Sequence, residues 1–505
     1  MRRSRAEECY IFCQQYRTQF NRFPLKVVAA LSGARRIFFC DPQGSGPAIT
    51  PAQVVLKHLP LYLWRCLYAI FAILGFFAAY LLAWMAVNRR RPVQATSRSR
   101  RLCYIKTDYW GELRAGGSVT HTREFVNAGC DLGYEISVFA CDPLSHYQLK
   151  PKVEVIPPSQ GLYDLPIFVS QMEYNLRFPW AVWRRLRGTA LDGVYQRHSN
   201  NNFSGVALSL LLNTPFFLEY NSSPTWIAKN WMKQKSALLA SLCERLNLRG
   251  AYRVAVVSDV LKRYLGSQGL DGQAVIVNPN GVDPKRFGPH VGASAIRAQL
   301  PADKYLVGFI GVFGQWHGVL TLMRSVKHVF AACPNAHFVI IGDGALKRQM
   351  LEILESDDMV DQVTFVGLID HDAAPAYLNA CDVLVSPHEE MADGSEFFGS
   401  PTKIFEYMAT GKGIVASNVG QLGELLSNEH DALLVQQRNE VELGEAIVRL
   451  LRDSCLRERL GAAARRKVES AYTWEENFRR VILPSPPTGL GGSELKADQN
   501  EVASF

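Results

Sequence analysis

The sequence predicts an α/β protein built from two parallel-sheet domains, and three observations lead there. From Leu102 onward, short apolar runs alternate with amphipathic ones, as when strands alternate with the helices that cover them. At 505 residues the chain is too long for one core, so two globular domains with appendages are expected. Several apolar runs also end in glycine-bearing turns that open a helix, the arrangement that lets backbone amides meet a phosphate or sugar.

The appendage comes first. A hydrophobic share of 48% supports folded cores, and the net charge of +8 is unevenly placed, with arginines crowded into the first hundred residues. Because that charge flanks an apolar run, it points to an acidic membrane surface and away from nucleic acid. Residues 1–55 form a basic tail without an assigned role, in which Arg36–Gly46 reads as one strand and a turn, too little to fold alone. Residues 56–88 read as a membrane helix. Within it Leu67–Val87 carries no charge and would reach about 30 Å, the thickness of a bilayer core. Tyr62, Trp64, Tyr80 and Trp84 lie toward its ends as interface anchors. The basic linker 89–101 favours a cytoplasmic body, yet the upstream tail is basic too, so a single crossing and a re-entrant segment both remain open. Eleven cysteines, without CxxC pairs or histidines at zinc spacing, read as thiols of a reducing compartment.

The first domain is expected over 102–295. R-L-C-Y-I-K (101–106) is its first strand, followed by a turn at Gly116, Gly117 and Ser118, a helix through Cys130, and the strand Y-E-I-S-V-F-A. D-G-V-Y-Q-R-H-S-N (192–200) is a strand that delivers His198 to the edge where α/β ligands bind, and P-F-F-L-E-Y-N (215–221) adds Glu219 and Asn221. The second domain, 296–470, opens with Y-L-V-G-F-I-G-V-F-G-Q-W-H-G and continues through I-I-G-D-G (340–344), where Gly342 and Asp343 form a second ligand-facing turn. Asp382, in the next strand, orders its loop and is not read as a metal ligand. A crossing helix at 471–483 and a flexible tail at 484–505 complete the chain.

The most informative run is Phe397–Lys412, F-F-G-S-P-T-K-I-F-E-Y-M-A-T-G-K. Its turn, Gly399, Ser400, Pro401 and Thr402, leaves backbone N–H groups unpaired at a helix start, with Lys403 and Glu406 close to the same end. Amides and a lysine suit a diphosphate, and the glutamate can accept hydrogen bonds from a ribose. An ordinary capped helix would need neither charged side chain.

These residues resemble the C-terminal signature of the GT-B-fold retaining glycosyltransferases of family four (group 1), which have two Rossmann-like domains facing across a cleft. The resemblance implies that Glu406 holds the donor's ribose and that Glu396, in an E-F-F-G two residues early, stands in for the family's first glutamate. It implies further that Gly116 and Gly117 lie over the donor phosphates and that His198 sits beside the reacting sugar. Asn280, in V-I-V-N-P-N-G-V-D, matches the domain junction. In the family's glycine loop, around Gly314, the diphosphate-neutralising arginine and lysine are replaced here by Val312 and His317. Lys403 and a protonated His317 are expected to restore the charge.

The expected activity is therefore transfer of a sugar from a nucleoside diphosphate sugar to a lipid-linked or glycan acceptor at a membrane, with retention. No aspartate-x-aspartate stands at a strand end in the position that metal-using transferases require, so a site without metal or cofactor is expected. A silent GT-B scaffold binding nucleotide or glycan is the principal rival, supported by Val312, His317 and Phe398; a sugar epimerase lacks the paired carboxylates it would need. Two tryptophan-basic stretches, 178–187 and 226–235, suit a lipid headgroup layer, although amphipathic helices with buried tryptophans are commoner.

Overall fold

The computed structural model describes residues 7–13, 19–41, 44–89, 99–108, 116–223, 237–270, 274–390, 394 and 396–483. The N-terminal segment forms a small three-stranded sheet: β1 (Glu8–Phe12) runs parallel to β2 (Arg36–Asp41), which turns back antiparallel into β3 (Gly44–Ser45). Helix α1 (Arg22–Leu31) packs Phe23 and Ala29 against Ile37. The single strand expected here thus gains two partners and a covering helix.

A capping box between Thr50 and Gln53 starts α2 (Pro51–Arg89), a continuous helix with one wider turn over Val54–His58. It begins before the apolar run because Pro51 sits at its first turn, where a missing N–H costs nothing.

The first lobe is a seven-stranded parallel sheet. Its strands are β4 (Arg101–Lys106), β5 (Glu135–Ala140), β6 (Val153–Val155), β7 (Gly193–Arg197), β8 (Phe216–Tyr220), β9 (Arg253–Val256) and β10 (Val275–Val277), in the order β10-β9-β8-β7-β4-β5-β6. Both faces are buried. Cys103 and Ile105 meet Phe178 of α4 (Ile167–Leu186) and Phe76 of α2, while Leu102 and Tyr104 meet Phe125 of α3 (Gly117–Asp131). That double burial is why β4 reads as a continuous apolar run and not an alternating one.

The second lobe repeats the plan with β11 (Tyr305–Ile310), β12 (Ala336–Ile341), β13 (Val363–Gly367), β14 (Val383–Ser386), β15 (Gly413–Ser417) and β16 (Leu433–Val435), ordered β13-β12-β11-β14-β15-β16 and wholly parallel. The last described helix returns to the first lobe. Its Phe478 packs 5.0 Å from the Phe125 ring, and the Arg253 guanidinium donates to the carbonyls of Arg480, Val481 and Leu483 at 2.7–2.8 Å. A cleft of about 870 Å³ separates the two sets of strand ends.

Candidate functional site

The second-lobe wall of the cleft is the N-terminus of α5 (Thr402–Thr410). Pro401 occupies the cap position and no side chain accepts there, so first-turn N–H groups remain available to an anion. Lys403 and Glu406 are three residues apart and therefore share one helix face; both are buried and both line the cleft. The Lys403 ammonium lies 4.1 Å from the centre of the Phe309 ring. It fits because Gly311, at the end of β11, has no side chain: a Cβ there would come within 2.6 Å of Nζ, and its φ of +153° already disfavours one.

Burial dominates the electrostatics. It pushes the Lys403 ammonium down to about 7 from its ordinary 10.5, against the attraction of Glu406. Burial likewise pushes the Glu406 carboxyl up to about 7, opposed by Arg286 and Lys403. Among the described residues, burial outweighs the charges that oppose it at both groups.

His317 departs from expectation. Burial, with Lys403 beside it, drives its imidazolium down to about 2, so the ring is neutral and cannot supply the positive charge anticipated for it. Its Nδ1 lies 3.4 Å from Lys403 Nζ and 3.2 Å from His388 Nε2, and Ser386 Oγ lies 3.0 Å from His388 Nδ1. While Lys403 is charged it can only donate, so His317 Nδ1 then accepts and Nε2 carries the ring hydrogen. Val312 lines the cleft with an exposed apolar side chain.

The first-lobe wall is formed by Gly116, Gly117, His121, Arg123, Arg197 and Asn221. Gly116 adopts φ +112° at the start of α3, a conformation that favours glycine. Glu219 stands behind this wall: Asn221 Nδ2 donates to it at 2.5 Å, and His121 Nε2 and Arg197 Nη1 lie 3.1 and 3.7 Å away. Burial opposes the charge of Glu219, but His121 and Arg197 outweigh it and hold the carboxyl down at about 2. The other His121 nitrogen lies 2.7 Å from Asn280 Oδ1, and Asn280 donates to the Ser400 carbonyl at 2.5 Å. One buried chain of polar contacts therefore joins the first lobe to the turn that precedes α5.

Several sequence-expected residues lie elsewhere. His198 does not line the cleft; β7 ends at Arg197, successive side chains alternate, and so the arginine faces the ligand space while His198 stacks 5.6 Å from Tyr220. Glu396 is exposed and paired with Arg263 at 3.0 Å, away from the cleft lining. Gly342 has φ +129°, and a Cβ there would lie 1.9 Å from the Gly311 carbonyl oxygen, so it serves the packing of two strand ends. Asp343 is exposed and accepts from the Gly344 amide at 2.8 Å, and Gly314 shapes its turn by donating its N–H to the Val312 carbonyl at 3.0 Å; neither lines the cleft.

His121, Arg123, Arg197 and His371 were not singled out from sequence. His121 and Arg123 were findable, four and six residues beyond Gly117 on a helix whose start faces the ligand space. Nothing local marks His371, which lies 3.9 Å from Glu406 on a loop and is held neutral by burial and by Arg286, down at about 4.

Comparison with known proteins bears on the two lobes. The description "Glycosyltransferase Family 4" matches residues 115–286, in the first lobe, and "Glycosyl transferases group 1" matches 304–453, in the second. The chain is 26% identical over 300 residues to 2-deoxystreptamine N-acetyl-D-glucosaminyltransferase of Streptomyces fradiae, a match covering 57% of this chain and 63% of that protein. It is 24% identical over 363 residues to phosphatidyl-myo-inositol mannosyltransferase of Mycolicibacterium smegmatis, covering 71% and 87%. Among solved structures, Anabaena HepE in complex with UDP superposes with a TM-score of 0.58 at 16% identity, over 75% of this chain and 98% of that one. The two lobes are those of the GT-B glycosyltransferase fold.

Proposed function

We propose that this chain, a glycosyltransferase with a group 1 domain in one lobe and a family 4 domain in the other, transfers a sugar from a nucleoside diphosphate sugar to a lipid-linked or glycan acceptor at a membrane surface. The observation that carries the proposal is the uncapped start of α5 beside buried Lys403 and Glu406, on a cleft whose opposite wall carries the Gly116–Gly117 turn. The helix end and Lys403 neutralise the diphosphate, and Glu406 accepts from the nucleotide ribose. Arg197 and Asn221, braced by Glu219, face the transferred sugar and the acceptor. Leaving-group charge builds up against the α5 amides and Lys403, so the transfer runs without a metal, and the acceptor attacks from the leaving-group side with retention. Relatives named as acting on phosphatidylinositol support a membrane acceptor.

Replacing Glu406 by alanine is expected to abolish transfer, by about 10²-fold or more, while the unfolding midpoint does not fall. Wild-type turnover in that variant would remove the assignment. The silent-scaffold reading draws on Val312, which stands in the cleft where a cation would serve the diphosphate. Slow release of free sugar during incubation with a panel of nucleotide sugars distinguishes them, because a scaffold binds without turnover.

A further inference from the structure

We infer that α2 lies along the membrane plane, half-sunk in one leaflet on the side of the first lobe, and does not cross the bilayer. The inference rests on the membrane part of the proposed function and not on its transfer chemistry.

The helix is fastened to the first lobe along most of its length. Arg65 pairs with Asp164 and Tyr68 donates to Glu173 at 3.4 Å. Phe76 packs 5.4 Å from the Phe203 ring, and near the C-terminal end Asn88 accepts from Arg249 at 2.6 Å. If α2 stood across a bilayer, the α4 residues against it would be carried to the same depth, including Glu173 beside Tyr68 and Arg177 next to Leu176, which meets Gly75. Each charge at mid-bilayer costs about 3 kcal/mol or more.

The chain before the helix stays on the same side. Arg22 of α1 donates to the Gln160 carbonyl at 2.7 Å, and Phe20 packs 4.6 Å from the Tyr163 ring of the first lobe. Phe23 of α1 stacks 4.1 Å from Tyr62 of α2. Segments in direct contact cannot be separated by a bilayer. The 39 residues of α2 also extend about 58 Å, roughly twice a hydrocarbon core.

What remains is an apolar stripe with a fitting rim. Leu63, Leu67, Phe71, Leu74, Leu81 and Leu82 are exposed, while Ala69, Ala72, Phe76 and Ala83 on the opposite side are buried against the lobe. Between Cys66 and Asn88 the helix carries no charge. The helices that touch α2 add exposed Trp180, Leu211 and Leu238, and Trp180 stacks on Trp183 at 4.8 Å beside Arg184, Arg185 and Arg187. Tryptophan next to arginine matches the boundary between acyl chains and anionic headgroups. The stretch 226–235 lies outside the described residues.

The test uses the full chain, tagged at both termini, synthesised with sealed vesicles of phosphatidylglycerol and phosphatidylethanolamine. Flotation should recover the protein with the vesicles, and protease added outside should remove both tags and leave no protected fragment. Phe71→Glu with Leu82→Glu, both far from the cleft, should lower vesicle-bound protein by about tenfold or more while nucleotide binding is kept. A protected N-terminal fragment, absence of wild-type flotation, or unchanged flotation of the double variant would each overturn the inference. A chain that floats as described yet transfers no sugar would leave it standing and remove the transferase reading instead.

Discussion

Lys403 is the residue whose surroundings are most at odds with its charge. An ammonium held down at about 7 keeps its proton in the unfolded chain up to about 10.5, so between those values the unfolded state binds more protons and stability rises with pH. Below pH 7 the full penalty of a buried cation is present. Lys403→Met should therefore raise the unfolding free energy at pH 6, and with it the midpoint, by an amount on the order of 2–4 kcal/mol that shrinks toward pH 10. Its turnover should fall about 10²–10³-fold, because a leaving diphosphate loses the cation that meets it. Thermal unfolding across pH 6–10 beside a transfer assay checks both. A midpoint that drops at pH 6 would mean that the lysine serves the fold. Glu406, raised to about 7, has the opposite dependence: it resists ionising and weakens the fold above pH 7 until a ligand compensates it.

At the scale of elements, the site is the place where β11, β12 and α5 converge, and two glycines distinguish packing from binding. Gly342→Ala would put a Cβ 1.9 Å from the Gly311 carbonyl at φ +129°, and should cost about 3 kcal/mol of stability with any loss of binding following from that. Gly311→Ala would press on Lys403 Nζ, and should weaken nucleotide binding about tenfold or more even when the lobe remains folded. Denaturant melts and nucleotide titration of the two variants separate the roles; equal binding losses at equal stability would merge them. Much of this level was legible in the sequence. The run 397–412 showed the helix start with its lysine and glutamate, because a local turn, a proline and an i, i+3 pair suffice to place them on one face. His198 was expected at the ligand edge and Arg197 lines the cleft instead, because one residue of register decides which side chain faces it, and only the end of β7 fixes that. His317 kept its expected place but not its charge, since burial beside Lys403 is a tertiary fact.

For the whole molecule, the two parallel sheets could be read from alternating apolar runs, and the cleft between their strand ends follows from the fold. Contacts between distant segments could not be read. Asn280 reaches both His121 and Ser400, and Arg253 clasps the returning helix, each through partners more than a hundred residues away in sequence. The N-terminal appendage shows the same limit: its composition announced an apolar helix, while its docking on the first lobe depended on Asp164 and Tyr163.

The claim on which these readings converge is that a nucleoside diphosphate sits at the α5 terminus and is held by Lys403. Calorimetric titration of wild type and Lys403→Met with UDP and GDP at pH 6 and pH 8, in buffers of different ionisation heat, tests it most directly. For the wild type, the preferred nucleotide should bind more weakly at pH 8 than at pH 6 and take up about one proton at pH 8, because the ligand recharges a lysine that titrates near 7. The variant should lose both the proton uptake and most of the affinity. Equal affinity and no proton uptake in the two proteins would contradict the account.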